Sequence, residues 1–381
     1  MSLSFALAPE QEEFRKVVRA FAQDVIAPAA DDFNARAEFP VGVVKQMGEL
    51  GLFGIPFEEQ YGGRGGDFLT LGLAIEEIGR VDQSLGITLE AAVGLGASPI
   101  HLFGTEEQKR EWLIPLAKGE RLGAFGLTEP GGGSDVKGST RTRARLDGDH
   151  WVINGSKVFI TNVGTEMTSI CTVTAVTGDD EISSIVVPVD APGFTVAPPY
   201  RKVGWHGSDT REIVLEDVRV PAANLLGERG HGLRNFFRIL DDGRIAIAAL
   251  AVGLIQGCID ECVRYSLERE AYGRPIAKLQ AVAFKIADME VWAQTSRHAY
   301  WNAAWRRAEG LPYKREASIA KLYSSERAMD AARQATQVFG GYGFMTEYLV
   351  GRFYQDAKIL EVGEGTSEVQ RLLIARDLGL S

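Results

Sequence analysis

Residues 150–162 read HWVINGSKVFITN, and the period of that stretch decides how the chain is divided. Apolar and polar residues alternate on both sides of Asn154-Gly155. Alternation is a strand pattern, and the Asn-Gly pair predicts a two-residue hairpin turn. Downstream, SSIVVPVD (183–190), GFTVAPP (193–199) and REIVLEDVRVP (211–221) repeat the short-strand pattern, separated by Gly, Pro and Asp. A central β domain over residues 121–226 is the reading.

The period changes on either side. In PEQEEFRKVVRAFAQDVIAPAA (9–30), Phe14, Val17, Val18, Phe21 and Val25 recur every three or four residues, and Pro28 predicts a stop. LTLGLAIEEIGRVD (69–82) and TEEQKREWLIPLAKG (105–119) follow the same logic, the latter with Thr105 as N-cap. Residues 1–120 thus form an N-terminal α-helical domain. After GERGHGLRNFF (227–237) the helical period returns through 227–308, 314–339 and 367–378, giving a C-terminal helical domain over 227–381. An α+β multidomain chain with its classes segregated in this way excludes a parallel doubly wound sheet. The uncharged run 245–259 is shorter than the roughly 20 residues of a membrane helix. It predicts a helix buried on nearly all sides, in a bundle core or a subunit interface.

The chain has 381 residues and a formal net charge of −10, which opposes nucleic acid or an anionic membrane as a partner. Its three cysteines, Cys171, Cys258 and Cys262, do not make a disulfide scaffold and point to a reducing, cytoplasmic setting. Glu10, Glu12, Glu13 and Asp24 oppose a secretory signal peptide. The five histidines have no metal-ligand spacing, so no metal is expected. G-x-S-x-G, G-x-x-x-x-G-K-[ST] and G-x-G-x-x-G are all missing, which removes the usual support for hydrolase, P-loop and Rossmann chemistry.

FGLTEPGGGSD (125–135) lies where the helical part gives way to the β domain. Pro130 and the glycines after it free backbone N–H groups to approach an anion, while Thr128 and Ser134 add hydroxyls. A plain inter-domain loop would look the same. With FIT (159–161), EREAYGRPI (268–276), QVFGGYGF (337–344) and GEGTSEVQR (363–371), however, the segment makes a set of motifs in a fixed order. In that order the chain resembles the acyl-CoA dehydrogenases over nearly its whole length.

The resemblance implies an N-terminal α-helical domain, a central β domain and a C-terminal four-helix bundle, usually assembled as a homotetramer. It implies FAD, with Phe125, Leu127, Thr128, Gly133, Ser134, Phe159, Ile160 and Thr161 around the flavin and pyrophosphate. Arg269, Gln280, Gln337, Gly340 and Gly341 would hold the adenine end, partly for a neighbouring subunit, and Thr366 and Glu368 would also touch FAD. Ser134, Asp241, Arg244 and Gly365 would meet an acyl-CoA or acyl-carrier-protein substrate. An electron-transferring flavoprotein would take the electrons. Oxidase, monooxygenase, biosynthetic tailoring and non-catalytic acyl-CoA-binding versions of the fold are the alternatives.

Glu364 would be the base. On position alone it is also an acid beside a helix start, with Ser367-x-x-Gln370 predicting a capping box. Gly-Glu-Gly-Thr at 363–366 stands where the family has Tyr-Glu-Gly-Thr, so Gly363 implies space for a bulky or branched acyl group. The isovaleryl-type branch often carries its glutamate one residue before a helical arginine. Here that place is Gly243, before Arg244, so Glu364 has no rival there.

Overall fold

The computed structural model describes residues 6–380. The first helix, Pro9–Phe21, does not end the rod at Pro28. A π turn over Ala22–Ile26 shifts the hydrogen-bond ladder just ahead of the proline, which then sits in the first turn of Ala27–Arg36, where no N–H is needed. Thr105 caps as expected. Its hydroxyl accepts the Gln108 N–H at 3.3 Å, and Gln108 Oε1 accepts the Thr105 N–H at 3.0 Å.

The β domain is a mixed eight-stranded sheet. Its strands are β1 (Leu122–Gly126), β2 (Arg143–Asp147), β3 (His150–Thr161), β4 (Thr168–Gly178), β5 (Glu181–Pro188), β6 (Phe194–Val196), β7 (Thr210–Pro221) and β8 (Leu225–Leu226). They run in the order β6-β7-β3-β2-β4-β5-β8, and β1 pairs in parallel with β4. Asn154-Gly155 is not a hairpin. It is a bulge inside β3, where the register against β7 shifts between Ile153 and Gly155. Ile153 and Ile160 both enter the sheet's core, so the two halves stay on one strand. The Asn154 amide and Asp217 exchange two 2.9 Å hydrogen bonds across the bulge. Gly155 has φ +152°, and a Cβ there would fall 2.4 Å from Thr142 Oγ1. The hairpin turn is instead Gly148-Asp149, flanked by the Asp147–His150 pair. Gly148, at φ +63°, takes the first position of that loop, the place where a two-residue hairpin turn accepts glycine.

The C-terminal helices are Gly232–Glu268, Gln280–Ala308, Lys314–Phe339, Leu349–Leu360 and Ser367–Asp377. The helical run expected over 227–308 is broken after Glu268 by a ribbon pairing Glu270–Ala271 with Arg274–Pro275. Leu349–Leu360 lies outside the expected segments, although Val350, Phe353, Ala357 and Leu360 make its buried face. The run 245–259 is buried within the protomer, in the core formed by the N-terminal helices and the bundle. The bundle-core alternative is therefore the right one. Stretches 83–103 and 232–268 are apolar and long enough to cross a membrane, but 78% and 83% of their apolar windows are buried inside the fold.

A buried ionic cluster fixes the N-terminal helical layer to the C-terminal helical layer, the first and third of three with the β domain as the second. Glu76, 1% exposed, takes Arg15 at 3.1 Å and Arg297 at 2.9 Å and also accepts from the Tyr300 hydroxyl. Separately, Gln83–Glu90 and the π turn Ala91–Ala97 pack against the Gly232–Glu268 helix. Two carboxylates meet beside this seam.

Candidate active site

Glu364 sits in the turn between Leu349–Leu360 and Ser367–Asp377. The cap of the last helix is Thr366, not Ser367: the Thr366 hydroxyl accepts the Val369 N–H at 3.3 Å. Gln370 serves the turn instead of a capping box, donating to the Gly365 carbonyl at 2.9 Å, and Lys321 Nζ donates to the same oxygen at 2.8 Å. These bonds hold Glu364 at φ +53° and Gly365 at φ +95°. A non-glycine residue persists in the left-handed region only where its surroundings over-determine it, and such positions cluster at functional sites.

Glu364 as a residue is partly open to solvent, yet both carboxylate oxygens are shut off from it and find no donor other than Glu90. A Cβ on residue 243 would lie 2.1 Å from Glu364 Oε2, so the glycine is the space the carboxylate fills. Burial raises the Glu364 pKa, against a hydrogen bond with Glu90 and the charges of Lys321 and Arg244. Burial likewise lowers the Lys321 ammonium to about 8. Among the described residues, no hydrogen bond uses the Glu364 N–H.

Arg244 and Asp241 form the expected i, i+3 ion pair, but inside the protein rather than at a solvated helix start. Arg244 is 3% exposed, and its charge bears on Glu364. Arg244 is thereby an electrostatic neighbour of the Glu364 carboxylate. Gly365 is part of the turn itself, where a Cβ would meet Gln370 Nε2 at 2.8 Å.

The structure separates the residues expected at FAD. Phe125 packs in a small core with Phe236, ring centroids 4.9 Å apart, and Ile160 is buried in the sheet, so neither side chain offers an open face. Leu127, Thr128 and Thr161 are half-buried, and Gly133 and Ser134 are exposed on the glycine-rich loop. Beneath that loop Lys157 and Glu129 form a 2.7 Å ion pair, 0% and 5% exposed. Lys157 also donates to the Leu127 carbonyl, and Glu129 accepts the Arg141 and Thr142 N–H groups at 2.6 and 3.0 Å. Phe159 is 66% exposed at φ +62°, beside a second β3 bulge and 5.5 Å from the Tyr200 ring. A strained, exposed aromatic next to Thr161 fits a planar ring system.

Arg269, Gly340 and Gly341 line a cleft of about 450 Å³ with Tyr265, Phe339 and Tyr342. A Cβ on either glycine would meet nothing within 4 Å, so bare backbone faces the opening beside a guanidinium and aromatic walls. That donor set suits an adenine nucleotide. Gln280 and Gln337 are exposed but do not line the cleft. Glu368 is exposed in the first turn of the last helix, and the Thr366 oxygen is engaged in its cap.

Three family models match the chain: the acyl-CoA dehydrogenase N-terminal domain over residues 8–120, the middle domain over 124–218 and the C-terminal domain over 230–379. The chain belongs to the acyl-CoA dehydrogenase family. It is 51% identical to a probable acyl-CoA dehydrogenase of Bacillus subtilis over 99% of this chain and 100% of that one. Butyryl-CoA dehydrogenase from Megasphaera elsdenii superposes with a TM-score of 0.96 at 40% identity, covering 99% and 100% of the two chains. An acyl-CoA dehydrogenase from Bacillus anthracis complexed with FAD gives 0.93 at 34%, covering 98% and 67%.

Against this acyl-CoA dehydrogenase frame, the sequence reading missed Glu90 and Lys321. Glu90 is 1% exposed with neither oxygen partnered except by the Glu364 carboxylate, and burial followed by the Glu364 charge raises its pKa well up. The available signal was a single acid in the apolar stretch GITLEAAVGLGA (86–97). Lys321 was legible as the one cation on the Ala317, Ala320, Ala328 face of its helix.

Proposed function

We propose that the protein is an FAD-dependent acyl-CoA dehydrogenase that converts a short or branched acyl-CoA to the trans-2-enoyl thioester, with Glu364 as the base. The observation that carries this is the Glu364 carboxylate: dry, set by a strained backbone and given room by Gly243. A carboxylate is a weak base in water, and desolvation raises its pKa towards the range useful for abstracting an α-proton. Bound FAD supplies the acceptor for the β-hydride. Phe159, Thr161 and the loop ending in Ser134 would face its ring and pyrophosphate, and the Arg269 cleft its adenine.

The Glu364 N–H, uncommitted among the described residues, is available to the thioester oxygen as negative charge develops there. Lys321 and Gln370 keep that N–H and the carboxylate in one geometry by fixing the Gly365 carbonyl. At Gly363 a Cβ would meet Ile359 alone, its carbonyl at an ordinary 3.4 Å and its Cγ1 at 4.0 Å, so no other residue crowds that position. This supports a short or branched acyl group, as does the likeness to a butyryl-CoA dehydrogenase. The acceptor we propose is an electron-transferring flavoprotein. Tyr272 and Phe344, 91% and 88% exposed beside the Arg269 cleft, support a homo-oligomer in which a second copy covers that face.

Anaerobic titration of the yellow protein with straight and branched acyl-CoAs, then acyl-carrier proteins, tests the reading. Flavin bleaching by acyl-CoA is the expected result. Glu364→Gln should retain FAD and lose bleaching, and retained turnover in that variant would sink the assignment. Rapid peroxide formation in air would point to an oxidase instead.

A further inference from the structure

We propose that Glu90 holds the resting proton of the site and donates it as a hydrogen bond to the Glu364 carboxylate, so that Glu90 is a positioning residue for proton abstraction. The proposal rests on Glu364 being the base. Glu90 closes the helix Gln83–Glu90, at the start of the π turn Ala91–Ala97, and faces Glu364 across the seam between the first and third layers. Two glycines on different elements make room for the two acids. A Cβ on Gly94 would come 2.8 Å from Glu90 Oε1, and one on Gly243 2.1 Å from Glu364 Oε2.

Ionised carboxylates only accept hydrogen bonds, and none of these four oxygens finds a donor elsewhere. Two bare negative charges in contact and out of water repel strongly, so the pair keeps one proton between them. The surroundings decide which residue carries it. Lys321 from Lys314–Phe339 and Arg244 from Gly232–Glu268, itself paired with Asp241, both bear on Glu364. Glu90 has no ion pair with a cation among the described residues, and both its oxygens are without a donor from any other residue. The negative charge therefore rests on Glu364 and the proton on Glu90.

When the substrate's α C–H bond breaks, its proton passes to Glu364 and the electron pair is left in the thioester enolate. The pair then holds two protons and is neutral, the state a dry site favours. One proton returns to solvent after product leaves. A buried acid with no cation of its own is thus a fixed donor while its partner cycles.

The test compares Glu90→Gln with Glu90→Ala in the FAD-loaded enzyme. Gln keeps a neutral donor and should hold kcat within a few-fold. Ala removes a hydrogen bond to a charged group and should lower kcat by about 10- to 100-fold. The upper limb of the pH profile, where Glu90 gives up its proton, should vanish in Glu90→Gln while the lower limb stays. Independently of turnover, the infrared difference between wild type and Glu90→Gln at neutral pH should show the loss of one protonated carboxyl band. A Gln variant as slow as the Ala variant, or no lost band, overturns the proposal. Should Glu90→Ala fail to fold, the Gln pH profile and infrared difference decide alone. Failure of the base assignment appears separately, as turnover in Glu364→Gln.

Discussion

Glu364 has a place to lie because residue 243 has no side chain. The carboxylate end is only 2.1 Å from where an alanine Cβ would sit, so Gly243→Ala must push the Glu364 side chain aside, while alanine suits the helix Gly232–Glu268 that carries residue 243. A displacement of about 1 Å at a reacting group costs roughly 100-fold in rate. Gly243→Ala is therefore expected to keep its FAD content and melting temperature while kcat falls by about that factor. Gly363 makes a contrasting case. Its Cβ position is in ordinary contact at 3.4 Å, so Gly363→Tyr should fold, and its effect should appear in kcat/KM as a loss of branched relative to straight acyl-CoAs.

At the level of elements, the glycine-rich loop owes its placement to an ion pair rather than to its glycines. Lys157, wholly buried in β3, is tied to Glu129, Leu127 and Thr174. Burial alone would raise the Glu129 pKa, but the Lys157 charge and the Thr142 N–H outweigh it and leave the carboxyl below its usual value. Lys157→Met strands the Glu129 charge and should cost about 3–5 kcal/mol, read as a lower melting temperature and weaker FAD retention. The double variant with Glu129→Gln should recover part of the loss. At the other end of the site, Thr366→Val removes a helix cap worth about 1 kcal/mol and should loosen the Glu364 turn. A drop in kcat larger than the drop in stability would show that the cap serves the turn.

The three layers meet again at Asp356, on the Leu349–Leu360 helix. Its Oδ1 accepts the Trp205 N–H at 2.6 Å while Oδ2 has no partner. Nearby, Asn34 donates to Asp82 at 2.7 Å and accepts from Ser84 and Gly207 at 3.2 Å. Burial raises Asp356 from 3.8 to about 7, with the Asp82 charge adding and the Trp205 N–H, Arg352 and Lys202 opposing. The folded state then holds a proton that the unfolded chain gives up near pH 4, so this group's stabilisation is present at low pH and is lost between about pH 4 and 7. At about 1.4 kcal/mol per pKa unit, about 4 kcal/mol is its ceiling. Asp356→Asn should melt higher than wild type at pH 8, with the gap closing towards pH 4.

The division into helical, β and helical parts was readable because period-two and period-3.6 patterns are local properties of the chain. So was Glu364 as a candidate, through the ordered motifs around it. What misled the local reading was competition. Asn154-Gly155 has hairpin chemistry, but burial of Ile153 and Ile160 on one core face held the strand together, and Pro28 was absorbed by a π turn. That Arg244 is buried, at 3% exposure, was set by packing and not by any local pattern. Glu90 lies 274 positions before Glu364, and no periodicity connects them. Their pairing depends on the crossing of a helix end with a long bundle helix at two glycines, and only the tertiary structure places those atoms together. The sequence by itself determined the order of helical, β and helical parts and singled out Glu364 as a candidate base. The three-dimensional packing decided that the acid is dry and that a second acid faces it, because desolvation and contact depend on neighbours distant in the chain.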